Sequence, residues 1–393
     1  MKKVLILALA LLLVTFVIAA CGNGDQPAAQ PAGGDQPAAQ PAGGDQPAAQ
    51  PAAGDQPATQ PDAVVGNRAV RLASHNAVLE GNPYRIRYEA DIREAAEAAS
   101  AHGFDVFVET FISNWDATLE AAQIQNSINA GFDIILVNPV APTGLDPLIE
   151  MAQDAGIMWI NADNLYTSTQ VSILNIATDQ FYLGYTTGRY AGQYLGRGAR
   201  VVMLAAMEGV AANTDRQAGF EAAIEAEGLV VVATGNHDWN PILANSVMME
   251  ILMSGVEFDG VLISQVAENA LAAFEATGTP LPRFMGFNDT GEWMQRMIEL
   301  NRDERVMDFL VLSNPPGVGG SALNFGLNIM LGRTMRTDMY DDPSIRSILL
   351  PSKVRFTYDT MTQADIDMAM AMAPGDAITY WYTIDEINAQ FFH

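Results

Sequence analysis

Short apolar runs alternate with amphipathic stretches along the chain beyond residue 66. The run at residues 134–137 consists of four large aliphatic residues, bounded by Asp133 and by Asn138 with Pro139. A short unbroken aliphatic run with β-branched residues is typical of a strand buried on both faces, as in a parallel sheet covered by helices. Because proline interrupts the strand ladder, we predict a strand at residues 132–137.

The same pattern recurs through the chain. Further strands are predicted at residues 70–74, 105–110, 158–162, 171–177, 199–205, 230–232, 261–264, 284–287 and 309–312, with one or two more within 347–360. Helices are predicted at residues 84–102, 117–128, 145–155, 181–195, 213–227, 241–253, 267–277, 292–302 and 361–372. Strands alternating with helices of this length favour parallel sheets with right-handed crossovers. We therefore predict an α/β protein with two Rossmann-like lobes.

Polar residues follow several of these predicted strands directly. They are Asn138, Asp163, Gln265, Asn288 and Ser313. In an open α/β sheet the carboxyl ends of the strands face the ligand crevice. We therefore expect a binding site built from strand ends.

The first part of the chain differs in composition from the rest. Lys2 and Lys3 precede an apolar run of signal-peptide length, which ends in the sequence Ile-Ala-Ala-Cys at residues 18–21. This sequence resembles the lipobox of bacterial lipoprotein precursors, which implies a signal peptide at residues 1–20 and a lipid on Cys21. The alternative is an uncleaved membrane anchor, but the apolar run is short for a spanning helix.

Residues 24–61 repeat the sequence Gly-Asp-Gln-Pro-Ala and contain no large apolar side chain. Such a segment cannot bury enough surface to fold. We predict that residues 21–65 form a disordered tether between the lipid and the folded part.

Charge and side-chain chemistry narrow the range of functions. The net charge of −26 argues against nucleic acid, whose phosphates require a basic surface. The four histidines show no metal-ligand spacing and Cys21 is the only cysteine, so we predict no metal and no cofactor. The glycine-rich residues 317–320 lack the lysine of a P-loop and the spacing of a dinucleotide motif, and no Gly-x-Ser-x-Gly elbow occurs. We therefore expect a binding protein and not an enzyme.

Seven segments together resemble the type I periplasmic binding proteins of the ribose and galactose group. They are Asn-Pro-Tyr at 82–84, Ile-Leu-Val-Asn-Pro at 135–139, Ile-Asn-Ala-Asp at 160–163, Ile-Ala-Thr-Asp at 176–179, Asn-Thr-Asp-Arg-Gln-Ala-Gly-Phe at 213–220, Met-Gly-Phe-Asn at 285–288 and Phe-Thr-Tyr-Asp-Thr at 356–360. The resemblance covers about residues 70–367.

The resemblance implies two lobes joined by three hinge segments, with the ligand held between the lobes. We expect the hinge segments near residues 177–178, 313–314 and 350–351. The amino-terminal lobe would then comprise residues 66–177 and 314–350, and the carboxy-terminal lobe residues 178–313 and 351–393.

The resemblance also implies ligand-binding roles for individual residues. Arg216 matches the cleft arginine of the family, and the alternative is a surface ion pair with Asp215 or Glu221. Asp163 matches the ligand-binding aspartate, or it caps a helix. Asn138 matches a strand-end ligand contact, or it forms an Asx turn before proline.

Other candidate residues depart from the family pattern or have two interpretations. Asn288 stands where the family usually has an aspartate, and the neighbouring Asp289 either compensates for it or caps a helix. Trp239 and Tyr84 match positions where an aromatic ring stacks on a sugar, or they pack in loops. Gln265 and Ser313 are further strand-end candidates.

We therefore expect an extracytoplasmic solute-binding protein that is anchored to the membrane through Cys21. It would act as a monomer, capturing a sugar or a similar polyhydroxylated solute between its lobes and delivering it to the permease subunits of an ABC importer. The alternative is a sensor that presents a sugar, nucleoside or autoinducer-type solute to a membrane receptor. The sequence does not separate these two functions, because they share a fold and a site.

Overall fold

A computed structural model describes residues 67–393 of the chain. The predicted signal peptide, Cys21 and the predicted tether lie outside the described residues. Among residues 67–393, no helix is long and apolar enough to cross a bilayer.

The described part of the chain alternates strands and helices. The strands are β1 (Arg68–Asn76), β2 (Phe104–Ile112), β3 (Ile134–Val137), β4 (Met158–Ala162), β5 (Leu174–Thr178), β6 (Arg200–Ala205), β7 (Val230–Asn236), β8 (Gly260–Ile263), β9 (Phe284–Asn288), β10 (Asp308–Leu312), β11 (Ser347–Leu350) and β12 (Arg355–Thr357). The helices are α1 (Pro83–Ala98), α2 (Ala117–Asn129), α3 (Asp146–Asp154), α4 (Gln180–Leu195), α5 (Ala211–Glu227), α6 (Pro241–Met253), α7 (Ala267–Thr277), α8 (Gly291–Leu300), α9 (Val318–Met330), α10 (Gln363–Ala371) and α11 (Ile384–Phe391).

Two six-stranded sheets form within residues 67–393. The first has the order β11-β5-β4-β3-β1-β2 and the second the order β12-β10-β9-β8-β6-β7. The pairings are parallel apart from that of β12, an edge strand that runs antiparallel to β10. The prediction of two α/β lobes is confirmed. We call the lobe around the first sheet the first lobe, and the other the second lobe.

The unbroken apolar run of β3 is explained by its position inside the first sheet. Ile134 and Leu136 point into a core that includes residues of α1 and α9. Ile135 and Val137 point into a second core on the opposite face, with residues of α2 and α3. Because successive side chains of a strand alternate between faces, a strand covered on both sides has no polar positions.

Close packing of α4 on α5 fixes the position of Arg216. A Cβ atom at Gly184 would clash with the backbone carbonyl of Arg216, and one at Gly219 would clash with the carbonyl of Phe181. The two helices therefore approach at a distance that only glycine allows. This contact holds the middle of α5 against the start of α4, beside the carboxyl end of the second sheet.

The chain passes between the lobes after β5, after β10 and after β11, and it passes a fourth time near Ala377. Ala377 pairs with Thr290 of the second lobe. Two residues later, the Thr379 hydroxyl donates a hydrogen bond to Asp91 of α1, in the first lobe. The segment around Ala377 therefore forms a fourth connection between the lobes, in addition to the three that the sequence predicts.

The end of the chain corrects one expectation. The sequence assigns all of residues 351–393 to the carboxy-terminal lobe, but Ile384, Ile387 and Phe391 of α11 are buried in the core of the first lobe. The ring of Phe391 lies 5.0 Å from that of Phe325 on α9. A short apolar stripe shows that a helix is amphipathic, but it does not show which apolar surface covers it. The assignment of residues 379–393 is therefore wrong.

Candidate functional site

A cleft at the carboxyl ends of both sheets contains a cavity of ≈ 310 Å³. Its polar and aromatic lining comes from both lobes: Asn82, Tyr84, Arg85, Trp115, Asp163 and Asn164 from the first, Gln180, Arg216, Trp239, Gln265, Glu268, Asn269, Asp289, Thr290 and Glu292 from the second, and Asn314 from the segment after β10. A concave site with convergent polar groups and aromatic rings is the usual arrangement for binding a small molecule.

Asp163 is held in the first-lobe wall by two donors. The Tyr84 hydroxyl donates to its Oδ1 atom over 2.9 Å, and the Asn138 amide donates to its Oδ2 atom over 2.9 Å. Burial and the charge of Asp163 raise the pKa of Tyr84 well above its usual value, so the hydroxyl keeps its proton and remains a donor. Asn164 in turn donates to Asn138 Oδ1 over 3.0 Å. The ends of β3 and β4 are thus tied together behind the cavity.

Arg216 is buried in the second-lobe wall with 1% of its surface exposed. Its Nε atom donates to Gln180 Oε1 over 3.2 Å and its Nη1 atom to Ser264 Oγ over 3.0 Å. Within the described residues, Arg216 forms no ion pair. The structure therefore contradicts the alternative, a surface ion pair with Asp215 or Glu221. Burial lowers the pKa of Arg216 to about 10, and the side chain still carries its charge at neutral pH.

Two carboxyl groups, the partly buried Glu268 and the fully buried Asp289, lie in the same wall as Arg216. Glu268, in the first turn of α7, accepts a hydrogen bond from the Asn288 amide. Asp289 Oδ2 accepts from the backbone N–H of Asn314 over 2.8 Å, whereas its Oδ1 atom is buried and has no hydrogen-bond partner among residues 67–393. Burial raises the pKa of both groups to about 7. The nearby positive charge of Arg216 lowers the pKa of Asp289, but burial has the larger effect.

Three aromatic side chains complete the lining. Trp239 lies in a left-handed turn after β7 with φ 53°, and its buried indole Nε1 atom has no hydrogen-bond partner within the described part of the chain. On the first lobe, the Arg85 guanidinium lies 4.8 Å from the centre of the Trp115 ring. Tyr84 lies beside them at the start of α1. The cavity therefore has aromatic surface from both lobes.

The predicted site residues divide into two groups. Tyr84, Asp163, Arg216, Trp239 and Gln265 line the cavity. Asn138, Asn288 and Ser313 are fully buried beside it, and they do not belong to its lining.

Each of these three residues bonds to protein groups. Asn138 positions Asp163, and Asn288 positions Glu268. Ser313 bonds to Ser352 over 2.8 Å and to the Tyr380 hydroxyl over 3.2 Å, at the junction of the crossing segments.

Sequence reasoning missed Arg85, Gln180 and Glu268. Arg85 and Gln180 lie in the first turns of α1 and α4, directly after loops at the carboxyl ends of strands. Glu268 follows β8 by five residues, in the first turn of α7. A search that extended from each strand end into the next helical turn would have found all three, because parallel strands and the helices that follow them meet at one edge of the sheet.

Comparison with known proteins gives a family and a fold. Residues 79–334 match the family of the periplasmic binding protein domain. The chain is 29% identical over 173 residues to the ribose import binding protein of Escherichia coli (strain K12), which covers 44% of this chain and 58% of that protein. It is 22% identical to the ribose import binding protein of Bacillus subtilis (strain 168), over 65% of this chain and 80% of that protein.

Solved structures share the two-lobe architecture. The Caulobacter myo-inositol binding protein bound to myo-inositol superimposes with a TM-score of 0.62 at 18% identity, covering 76% of this chain and 97% of that chain. At this level of identity the likeness establishes the fold.

Proposed function

The chain belongs to the periplasmic binding protein family, whose members are extracytoplasmic binding proteins and not enzymes, and on that premise we propose that it binds a sugar or a similar polyol in the cleft between its lobes. The observation that carries the proposal is the composition of the cavity. It combines planar hydrogen-bonding side chains from both lobes with the aromatic rings of Tyr84, Trp115 and Trp239. The ribose and myo-inositol of the similar proteins belong to the same class of solute.

Each kind of lining residue has a task in binding a polyol. Asp163 and Gln265 offer oxygen atoms to ligand hydroxyls, and Arg216 offers N–H groups in a fixed planar arrangement. The aromatic rings cover the weakly apolar C–H faces of the ligand. Buried polar groups that match hydroxyls also reject analogues that lack them. Asn138 and Asn288 contribute by positioning Asp163 and Glu268.

A thermal-shift screen with sugars, polyols and nucleosides tests this proposal. A ligand that binds only the folded state stabilises it by about 2.7 kcal/mol at 100 times its Kd. We expect at least one sugar or polyol to raise the melting temperature by several degrees. If nucleosides alone gave a shift, or if no compound did, the proposed ligand class would be wrong.

We also propose that the protein is a monomer attached to the membrane by a lipid on Cys21, and that it delivers its ligand to an ABC importer. The lipobox-like residues 18–21 and the repeat of residues 24–61 support this arrangement. Labelling cells with a radioactive fatty acid should mark the wild-type protein and leave Cys21→Ser unmarked. Label on the variant would contradict the lipid anchor.

Ligand uptake by cells that lack the protein tests the delivery to an importer. Unchanged uptake in these cells would contradict it.

A further inference from the structure

The cavity has more acidic than basic side chains. Among the described residues, its lining contains four carboxyl groups and two guanidinium groups: Asp163, Glu268, Asp289 and Glu292 against Arg85 and Arg216. A neutral polyol requires no such excess, because hydroxyl groups both donate and accept hydrogen bonds. The excess is concentrated in the second lobe.

The two arginines are engaged by neutral partners. Arg216 donates to the side chains of Gln180 and Ser264. Arg85 donates to the Asn76 amide oxygen and lies over the Trp115 ring. Neither forms an ion pair with any carboxylate among residues 67–393. Within the described residues, the acids of the cavity therefore form no direct ion pair with these arginines, although the Arg216 charge is near enough to lower the pKa of Asp289.

Asp289 shows the consequence most clearly. Asp289 is 0% exposed and lines the cavity, and in the part of the chain that the structure describes its Oδ1 atom has no hydrogen-bond partner. The hydrogen bond that Glu268 receives comes from the neutral Asn288 amide. A carboxylate that is removed from water without a directly paired cation is unfavourable, and desolvation raises the pKa of both groups to about 7.

We propose that the ligand is a polyol that carries a basic nitrogen, an amino sugar or an aminocyclitol, whose ammonium group pairs with Glu268 and Asp289. An ammonium group would supply a cation in direct contact with the two acids, and it would donate to the Oδ1 atom of Asp289. The ring of Trp239, which lines the same cavity, also favours a cation. This inference rests on the proposed function, since it specifies the ligand of the same cleft.

The test compares matched pairs of compounds by calorimetry at pH 7.5. Each pair differs by one group: D-glucosamine with D-glucose, and scyllo-inosamine with scyllo-inositol. N-acetyl-D-glucosamine serves as a control that keeps the nitrogen and removes its charge. In at least one pair we expect the amine to bind ten-fold or more tightly than the hydroxyl compound, and we expect the acetylated compound to lose this advantage.

Substituted variants then identify the residues that cause the preference for the amine. Glu268→Gln should reduce the amine preference at least ten-fold and change the affinity for the hydroxyl compound less than three-fold. Asp289→Asn provides a second variant of nearly unchanged shape. Glu299→Gln makes the same change of charge on the exposed face of α8, outside the cavity lining, and should keep the preference.

Three outcomes would overturn the inference. If hydroxyl compounds bind as tightly as their amines, the ligand is a neutral polyol and the proposed function stands. If the amine preference survives in both Glu268→Gln and Asp289→Asn, these residues do not hold the ammonium group. If neither member of any pair binds and the wider screen is also negative, the proposed function fails together with this inference.

Discussion

At the scale of single residues, the cleft depends on side chains that are held before a ligand arrives. Both carboxylate oxygens of Asp163 accept hydrogen bonds from protein groups, and the guanidinium of Arg216 is fixed by Gln180 and Ser264. Side chains that are already fixed lose little conformational freedom on binding, which favours affinity. Asp289 differs, because one of its carboxylate oxygens has no hydrogen-bond partner in residues 67–393.

The raised pKa of Asp289 predicts how stability depends on pH. Its pKa rises from 3.8 to about 7 on folding, so between those values the folded state holds a proton that the unfolded state has lost. The free energy of unfolding contributed by this group is therefore highest below about pH 4 and falls as the pH rises toward about 7. Asp289→Asn, which cannot ionise, should lose less stability than the wild type between pH 4.5 and pH 7.5.

Urea unfolding of the unliganded protein at several pH values measures this effect. Comparing two proteins removes the contributions of other groups, such as Asp338 and Asp342, whose pKa values shift downward. Identical pH profiles for wild type and Asp289→Asn would show that Asp289 titrates normally and is not buried without a partner.

The strand ends predicted where the site lies more reliably than they predicted which side chains line the cavity. Position after a strand places a Cα atom at the edge of the sheet, but it does not decide where the side chain points. Asp163 and Gln265 therefore reach the cavity, whereas the side chains of Asn138 and Asn288 turn to neighbouring protein groups. Glu268 was missed because it lies in the helix after its strand, where an acidic residue is also an ordinary feature of a helix start.

At the scale of secondary-structure elements, the interior strands were predictable and α11 was not. A strand such as β3 is apolar at every position because both of its faces are covered, and few other structures produce so short an unbroken apolar run. The apolar stripe of α11 fits any apolar surface. The packing of α11 against α9 follows from the path of the chain past Ala377 and Thr379, and the local sequence does not determine that path.

Substitution of Ile387 tests the position of α11. Ile387 is fully buried in the first-lobe core, so Ile387→Ala should lower the free energy of unfolding by about 2–5 kcal/mol. Gln390→Ala, on the exposed face of the same helix, should change it by less than about 0.5 kcal/mol. Equal, small effects of both substitutions in urea unfolding would mean that α11 does not pack in the core.

At the scale of the whole molecule, the crossing segments meet beside the cleft. The Tyr380 hydroxyl, which follows the fourth crossing, bonds to Ser313 over 3.2 Å and accepts from the backbone N–H of Lys353. One residue thus links the segments after β10 and β11. Proteins of this architecture close around a ligand by hinge bending, and the lining of the cavity by both lobes provides contacts that form on closure.

The central claim is that the solute binds in the cleft between the lobes, and Arg216 tests it most directly. Arg216→Met keeps much of the side-chain volume and removes the charged donor. Calorimetric titration with a sugar or polyol found in the screen should give a Kd ten- to a hundred-fold weaker than that of wild type, since a hydrogen bond to a charged group contributes about 1.5–3 kcal/mol. Arg302→Ala, an exposed arginine outside the cavity lining, should bind like wild type. An unchanged Kd for an Arg216→Met protein that circular dichroism shows to be folded would contradict the claim.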